Sequence, residues 1–219
     1  MIEKITSKKP VKKRNAEATK SRLLEVGEDL FSDHGFDRTT LEMIANAANV
    51  NKAMIRYYYK DKAGLYSAIV ESVVSDTLAH LEHALPDTED PVTGMADFVE
   101  IFASTIISRP SFPRMLIRDY LDGDIMNQPE PSQTLRRFMQ TTQSFYQRGR
   151  EKNLFQEFDP HMLHLSIVSS AIFFSITQSF RQEMARQTGQ KNLNIDITAF
   201  TSHLRRLIMS GISTNEFID

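Results

Sequence analysis

The chain has 219 residues, 41% hydrophobic and 25% charged, with a net charge of -2 and no cysteine. That is enough chain for a buried core in one or two domains, and the absence of cysteine excludes disulfides, thiolate zinc sites and cysteine nucleophiles. The polar start shows no apolar leader, and the longest apolar stretch, 165–176, falls short of the roughly 20 residues of a membrane span, so the expectation is a cytoplasmic protein with no membrane partner.

Charge is unevenly placed. Residues 1–65 hold 13 Lys/Arg against 9 Asp/Glu, and residues 66–219 hold 13 against 19. A basic end on an acidic body suits a polyanion touched at one end; a disordered basic tail gives the same bias.

Residues 1–14 read as a flexible basic arm, polar and without apolar period. From Asn15 the pattern is helical, with Leu23, Leu24, Gly27, Leu30 and Phe31 on one face, and Gly35 stops it. Thr39-Thr40-Leu41-Glu42 has the form of a capping box, with Thr39 as the cap and Glu42 reaching back. Leu41, Ile44, Ala45 and Ala48 then recur at helical spacing. Asn49-Val50-Asn51 is a short break, and Asn51 caps a third helix to about Tyr58. Asp61 caps a fourth, running toward Leu85 before Pro86. Further helices are expected near 92–108, 112–122, 131–152, 160–187 and 195–211, punctuated by Pro110, Gly123, Pro129, Pro131, Pro160 and Gly189. No segment alternates like a strand. The fold class is all-α, with about nine helices.

Helices two and three are short and separated by a tight turn, the dimensions of a helix-turn-helix. The third has an apolar side (Val50, Ile55, Tyr59) and a polar side (Asn51, Lys52, Arg56, Tyr57), and fits a major groove roughly 12 Å wide. A helical hairpin inside a bundle has the same dimensions.

The run TTLEMIANAANVNKAMIRYYYKDKAGL, 39–65, resembles the tetracycline-repressor (TetR/AcrR) family of bacterial regulators. The likeness extends from Ala16 to about Ser72. It includes the Phe31–Phe36 turn, the Thr-Thr pair, Ile44-Ala45, the Asn-Val turn, the triplet Tyr57-Tyr58-Tyr59 and Asp61-Lys62. The resemblance implies an N-terminal helix-turn-helix domain over 15–75, with its motif at 39–58, and a helical effector-binding and dimerisation domain over 76–219. It implies that Thr39 and Thr40 meet a phosphate, that Asn51, Lys52, Ala53, Met54 and Arg56 face the groove, and that Tyr57, Tyr58 and Lys62 reach the DNA backbone. Arg56 is the candidate for base readout, because Arg binds guanine bidentately; a phosphate contact alone is the other reading. The chain departs from the family pattern at Asn49, Arg56 and Lys60, where Gly, Tyr and Pro are common.

Reading a palindromic operator needs two recognition helices about 34 Å apart, so a homodimer is expected. The resemblance implies an interface from the last two helices, with Ile167, Ala171, Phe174, Phe200, Leu204 and Ile208 as candidates; packing within one chain gives the same seam. Between them and helix four lies a Phe- and Met-rich stretch. Phe98, Phe102, Ile106, Met115, Tyr120, Phe138 and Phe145 are candidates for an apolar pocket holding an unidentified small-molecule effector, or are ordinary core. In similar proteins the ligand shifts helix four.

Weaker signals add little. His80/His83 and His161/His164 have the i, i+3 spacing of metal ligands but no fixed third partner, so no metal and no cofactor is expected. Asp119, Asp122 and Asp124 read as a surface turn rather than acid-base machinery. No phosphate loop or nucleophile elbow is present, which argues against an enzyme. The two functional readings are a ligand-gated repressor and a small-molecule-binding helical dimer that has lost specific DNA binding.

Overall fold

The computed structural model describes residues 11–84, 90–122 and 129–214. The helices in chain order are α1 (Val11–His34), α2 (Leu41–Ala48), α3 (Lys52–Tyr59), α4 (Lys62–Ala84), α5 (Pro91–Ser108), α6 (Ser111–Asp122), α7 (Pro129–Glu151), α8 (Pro160–Ile176), α9 (Gln178–Thr188) and α10 (Ile197–Ile212). Among the described residues the sole β pairing is an isolated bridge between Phe155 and Ser213. The all-α expectation holds, with ten described helices.

Most helix ends follow from capping chemistry. Gly35, at φ 81, closes α1 by donating its amide to Phe31 O at 2.9 Å. Asp90, Asp159 and Asp196 cap α5, α8 and α10 by accepting amides of the first turn, where a carboxylate also meets the positive end of the helix dipole. α1 begins at Val11, so residues 11–14 belong to it and not to an arm. Residues 1–10 of that arm, the Leu85-Pro86 stop and the Gly123-Asp124 turn lie outside the described residues.

The cap of α2 corrects the sequence reading by one residue. Thr40, not Thr39, accepts the Met43 amide, at 3.2 Å. Thr39 is fully buried, and its hydroxyl faces the carbonyls of Gly35 (2.7 Å) and Leu30 (3.1 Å) at the end of α1. The first threonine thus turns inward to the end of α1, and the second caps α2.

The expected single helix over 160–187 is two, α8 and α9, bent by 54° at Thr177. There is no Gly or Pro at the break. Side chains take over the carbonyls instead. The Thr177 hydroxyl donates to Phe173 O at 2.6 Å, and Arg181 Nη1 donates to Phe174 O at 2.6 Å while its guanidinium lies over the Phe174 ring.

α5 is the hub of the body, packing on α4, α7, α8 and α10, and Met95, Phe98, Val99 and Phe102 are buried along it. The head core gathers Leu23 and Phe31 of α1, Ile44 of α2, Ile55 of α3, and Leu65 and Ile69 of α4, all fully buried. Head and body meet where α1 packs on α6. No single helix among the described residues is long and apolar enough to cross a membrane.

Candidate nucleic-acid interface and effector cavity

The short helix α3 is held by its neighbours. Asn49, at φ 55 and ψ 47, takes the left-handed conformation that Asn tolerates better than most residues. Thus Asn in place of the usual Gly preserves the turn. The Asn51 side chain accepts the Ala53 amide at 2.8 Å. Arg22 Nε of α1 donates to Ala48 O at 2.9 Å, and the Tyr59 hydroxyl donates to Lys20 O at 3.2 Å. Ile55 anchors the inner side of α3 in the core.

Asn51, Ala53, Arg56, Tyr57 and Lys60 are exposed on the outer side, with Tyr57 78% accessible, and Lys52, Met54 and Tyr58 are half-buried beside them. Thr40 is exposed at the start of α2. Of the expected DNA-facing residues, Thr40 and those of α3 are thus exposed or half-buried, whereas Thr39 is buried and Lys62 is engaged with the α1–α2 turn. With no accessible surface and its hydroxyl committed to α1, Thr39 cannot meet a phosphate directly.

Two lysines differ from expectation. Lys52 pairs with Glu42 across the α2–α3 angle, and that hydrogen bond holds the Glu42 carboxyl below its usual range. Glu42 does not reach back to close a capping box. Lys62 Nζ donates to Phe36 O at 2.7 Å and Asp37 O at 3.3 Å, and sits 4.3 Å over the Phe36 ring. Burial lowers its pKa. This cation ties the start of α4 to the α1–α2 turn; it is not aimed outward at a phosphate.

The α3–α4 joint is tight. Lys60 has φ 68 and ψ -59, and the Asp61 amide donates to Tyr59 O at 2.8 Å, a γ-turn that is rare and strained. A Pro, locked near φ -65, could not adopt it. Asp61 caps α4 through the Gly64 amide at 2.8 Å. A Cβ on Gly64 would lie 2.0 Å from Tyr59 O, so only glycine fits.

In the body, a cavity of about 100 Å³ opens between α5, α6, α7 and α8. Phe102, Ile106, Tyr120 and Phe138 of the expected set line it. Phe98, Met115 and Phe145 do not. Phe98 and Met115 are buried in the core, and the Phe98 ring packs against Phe102 and Phe145. Leu135, His164, Val168 and Ile172 complete the wall and were not expected there, because helical spacing alone does not say which apolar faces converge. Phe112, Pro113 and Leu116 place α6 in the wall too. The same helix grips α1: Ser111 Oγ donates to Asp29 at 2.9 Å, and Arg109, just before α6, pairs with Glu28.

Comparison with known proteins agrees with this layout. Residues 23–69 match the model of bacterial regulatory proteins of the tetR family, and residues 91–194 match a tetracyclin repressor-like C-terminal domain, together well over half the chain. The chain belongs to the TetR family. It is 29% identical over 110 residues to the HTH-type transcriptional regulator RutR of Escherichia coli K12, an alignment that covers 50% of this chain. The chain spans about half the length of that relative, 51%. It is 24% identical over 206 residues to the HTH-type transcriptional repressor NicS of Pseudomonas putida, covering 91% of this chain and 96% of NicS. In structure it resembles the fatty acid degradation regulator FadR of Bacillus halodurans, with a TM-score of 0.71, 14% identity, and 94% and 98% of the two chains covered.

Within this TetR-family fold the expected dimer residues need correction. Ile167, Ala171, Phe174, Leu204 and Ile208 are buried inside the chain, and Phe200 stacks on Phe174 at 3.8 Å. They form the inward sides of α8 and α10. The outward sides carry Met162, Leu165, Phe173 and Leu207, 56%, 57%, 67% and 60% exposed. On α8 apolar residues fall on both sides, so spacing alone could not separate them; on α10 only Leu207 is a large apolar residue on the exposed side.

Among the described residues no group of three His, Asp or Glu side chains has metal-binding geometry. His161 contacts Asp159, and His164 contacts Thr142. Asp119, expected in a surface turn, is buried close to Tyr66, whose phenol is pushed up by burial and then by Asp119.

Proposed function

We propose that this TetR-family chain is a homodimeric repressor that binds palindromic operator DNA and is released by a small apolar effector in the α5–α8 cavity. One observation carries the reading. α6 is at once a wall of the cavity and the main body contact of α1, so a ligand that moves α6 moves the reading head. This packing supports a coupling through α6 and α1 as well as through α4.

The outward surface of α3 supports DNA as the partner. Arg56 is exposed on it, and base readout is its proposed role. The exposed Met162, Leu165 and Phe173 of α8, with Leu207 of α10, support the dimer, since such a surface is normally covered. The cavity is smaller than the roughly 300–1,000 Å³ of a drug-sized site. A ligand must therefore push its walls apart, and a preference of about 1–3 kcal/mol for the DNA-incompetent state suffices for control.

Affinity for the DNA upstream of the chain's own gene, against shuffled DNA of equal length at fixed salt, tests this reading. Tighter binding to the upstream DNA is expected. Equal affinities favour the helical small-molecule-binding dimer that has lost specific DNA binding.

A further inference from the structure

Glu42 and Lys52 put a matched pair of charges beside the surface that the proposed function gives to DNA. Glu42 stands in the first turn of α2, and Lys52 is the first residue of α3. Their side chains are 61% and 37% exposed, and they form an ion pair. The backbone between them is fixed. The amides of Asn49 and Val50 donate to Asn46 O at 3.1 Å and Ala45 O at 3.0 Å, and the Asn51 side chain caps α3 by accepting the Ala53 amide. The two helix starts therefore hold the carboxylate and the ammonium within reach of each other. Helix ends favour the carboxylate and not the lysine. An anion suits the positive end of α2, whereas a cation is out of place at the positive end of α3. Glu42 supplies the charge that offsets this. The Lys52 hydrogen bond does most to lower the Glu42 pKa, its own amide comes next, and the charge of Arg56 adds to both. The carboxylate is thus ionised at neutral pH and feels both cations of α3.

We propose that Glu42 is a positioning residue that holds the Lys52 ammonium off the DNA backbone and so limits sequence-independent binding. This rests on α3 being the DNA-facing helix. Sequence-independent affinity comes from lysines and arginines that neutralise phosphates and release counterions. A lysine paired with its own carboxylate neutralises no phosphate. An exposed ion pair is weak and opens readily, but opening leaves the carboxylate in place, and a phosphate approaching Lys52 meets it. The pair carries no net charge in either arrangement.

The test uses the full chain on a duplex of shuffled sequence, with dissociation constants from fluorescence anisotropy at roughly 50 to 200 mM salt. Glu42→Gln frees the ammonium, and log affinity then falls with log salt more steeply by about one unit, a loss about 3-fold larger across that range. Lys52→Met leaves the native slope unchanged, because its ammonium was on no phosphate. In the Lys52→Met background Glu42→Gln no longer alters the slope, whereas the bare loss of a negative charge near DNA would act in either background. A slope unchanged by Glu42→Gln in the native background overturns the inference. So does a slope that Lys52→Met lowers by about one unit, or one that Glu42→Gln steepens equally in both backgrounds. A native protein that binds neither this duplex nor the DNA upstream of its gene overturns the inference together with the DNA reading. Equal native affinity for the two overturns sequence-specific reading alone, since the slopes on shuffled DNA still decide the role of Glu42.

Discussion

Arg109, at the joint of α5 and α6, holds the buried carboxylate of Glu28 on α1, with Nε at 2.8 and 3.0 Å and Nη2 at 2.6 Å. The two residues are 81 positions apart and join body to reading head. Burial raises the Glu28 pKa, and the Arg109 hydrogen bond and charge work against that rise. A carboxylate 4% exposed needs this partner.

Removing Arg109 should therefore weaken both the fold and the coupling. Breaking a buried pair costs about 3–5 kcal/mol, and less here, because the Arg109 side chain is 36% exposed and partly screened. Arg109→Leu is expected to lower Tm, with Glu28→Gln restoring part of the loss in the double variant. In that double variant an effector should still bind but release DNA less completely. A double variant no more stable than Arg109→Leu, with release unchanged, contradicts the strut.

Lys62 is a second strut. Charge-assisted hydrogen bonds contribute about 1.5–3 kcal/mol; with the ammonium largely solvated, about 1 kcal/mol is expected here. Lys62→Met should lower Tm by a few degrees and leave the slope of log affinity against log salt nearly unchanged. A slope smaller by about one unit would mean that the ammonium swings out to a phosphate.

The sequence made these elements legible to different degrees. Asn49, Asn51, Asp61 and Gly35 mark the head because each has a specific backbone role, a left-handed turn, a cap or a stop. Thr39 and Thr40 carry the same hydroxyl, so only the carbonyls at the end of α1 decide which one caps. The break at Thr177 is made by its own hydroxyl and by Arg181 reaching back seven residues to Phe174 O, with no Gly or Pro to announce it. Phe174 and Phe173 are adjacent and equally apolar, yet one packs inward and the other faces out. His164 reads as half of a His-x-x-His pair until Thr142, on another helix, is placed beside it.

The exposed sides of α8 and α10 make the dimer testable. Phe173→Glu or Leu207→Glu would bury a charge against its own copy across a two-fold interface. Either should shift the chain toward monomer in sedimentation equilibrium while leaving helix content unchanged. Ile167→Glu should instead unfold it, since Ile167 is fully buried within the chain. A Phe173→Glu chain that remains dimeric would place the interface elsewhere.

Burial holds the His164 pKa below its ordinary 6.5. As pH falls below 6.5 the unfolded chain takes up a proton that the folded chain does not, so stability is lost. This contribution is complete above pH 6.5 and disappears as pH falls. The native protein should lose more Tm between pH 7 and pH 5 than His164→Phe does. Equal losses would mean that the ring titrates freely in the fold.

If two copies of α3 read one operator, hydroxyl-radical footprinting of the protein on the DNA upstream of its gene should show it. Two protected patches are expected on one face of the duplex, centred one helical turn or a whole multiple of it apart, about 34 Å per turn. Protections lost on Arg56→Ala would assign them to α3. A uniform pattern indistinguishable from that on shuffled DNA, or a single patch unaffected by Arg56→Ala, would contradict it.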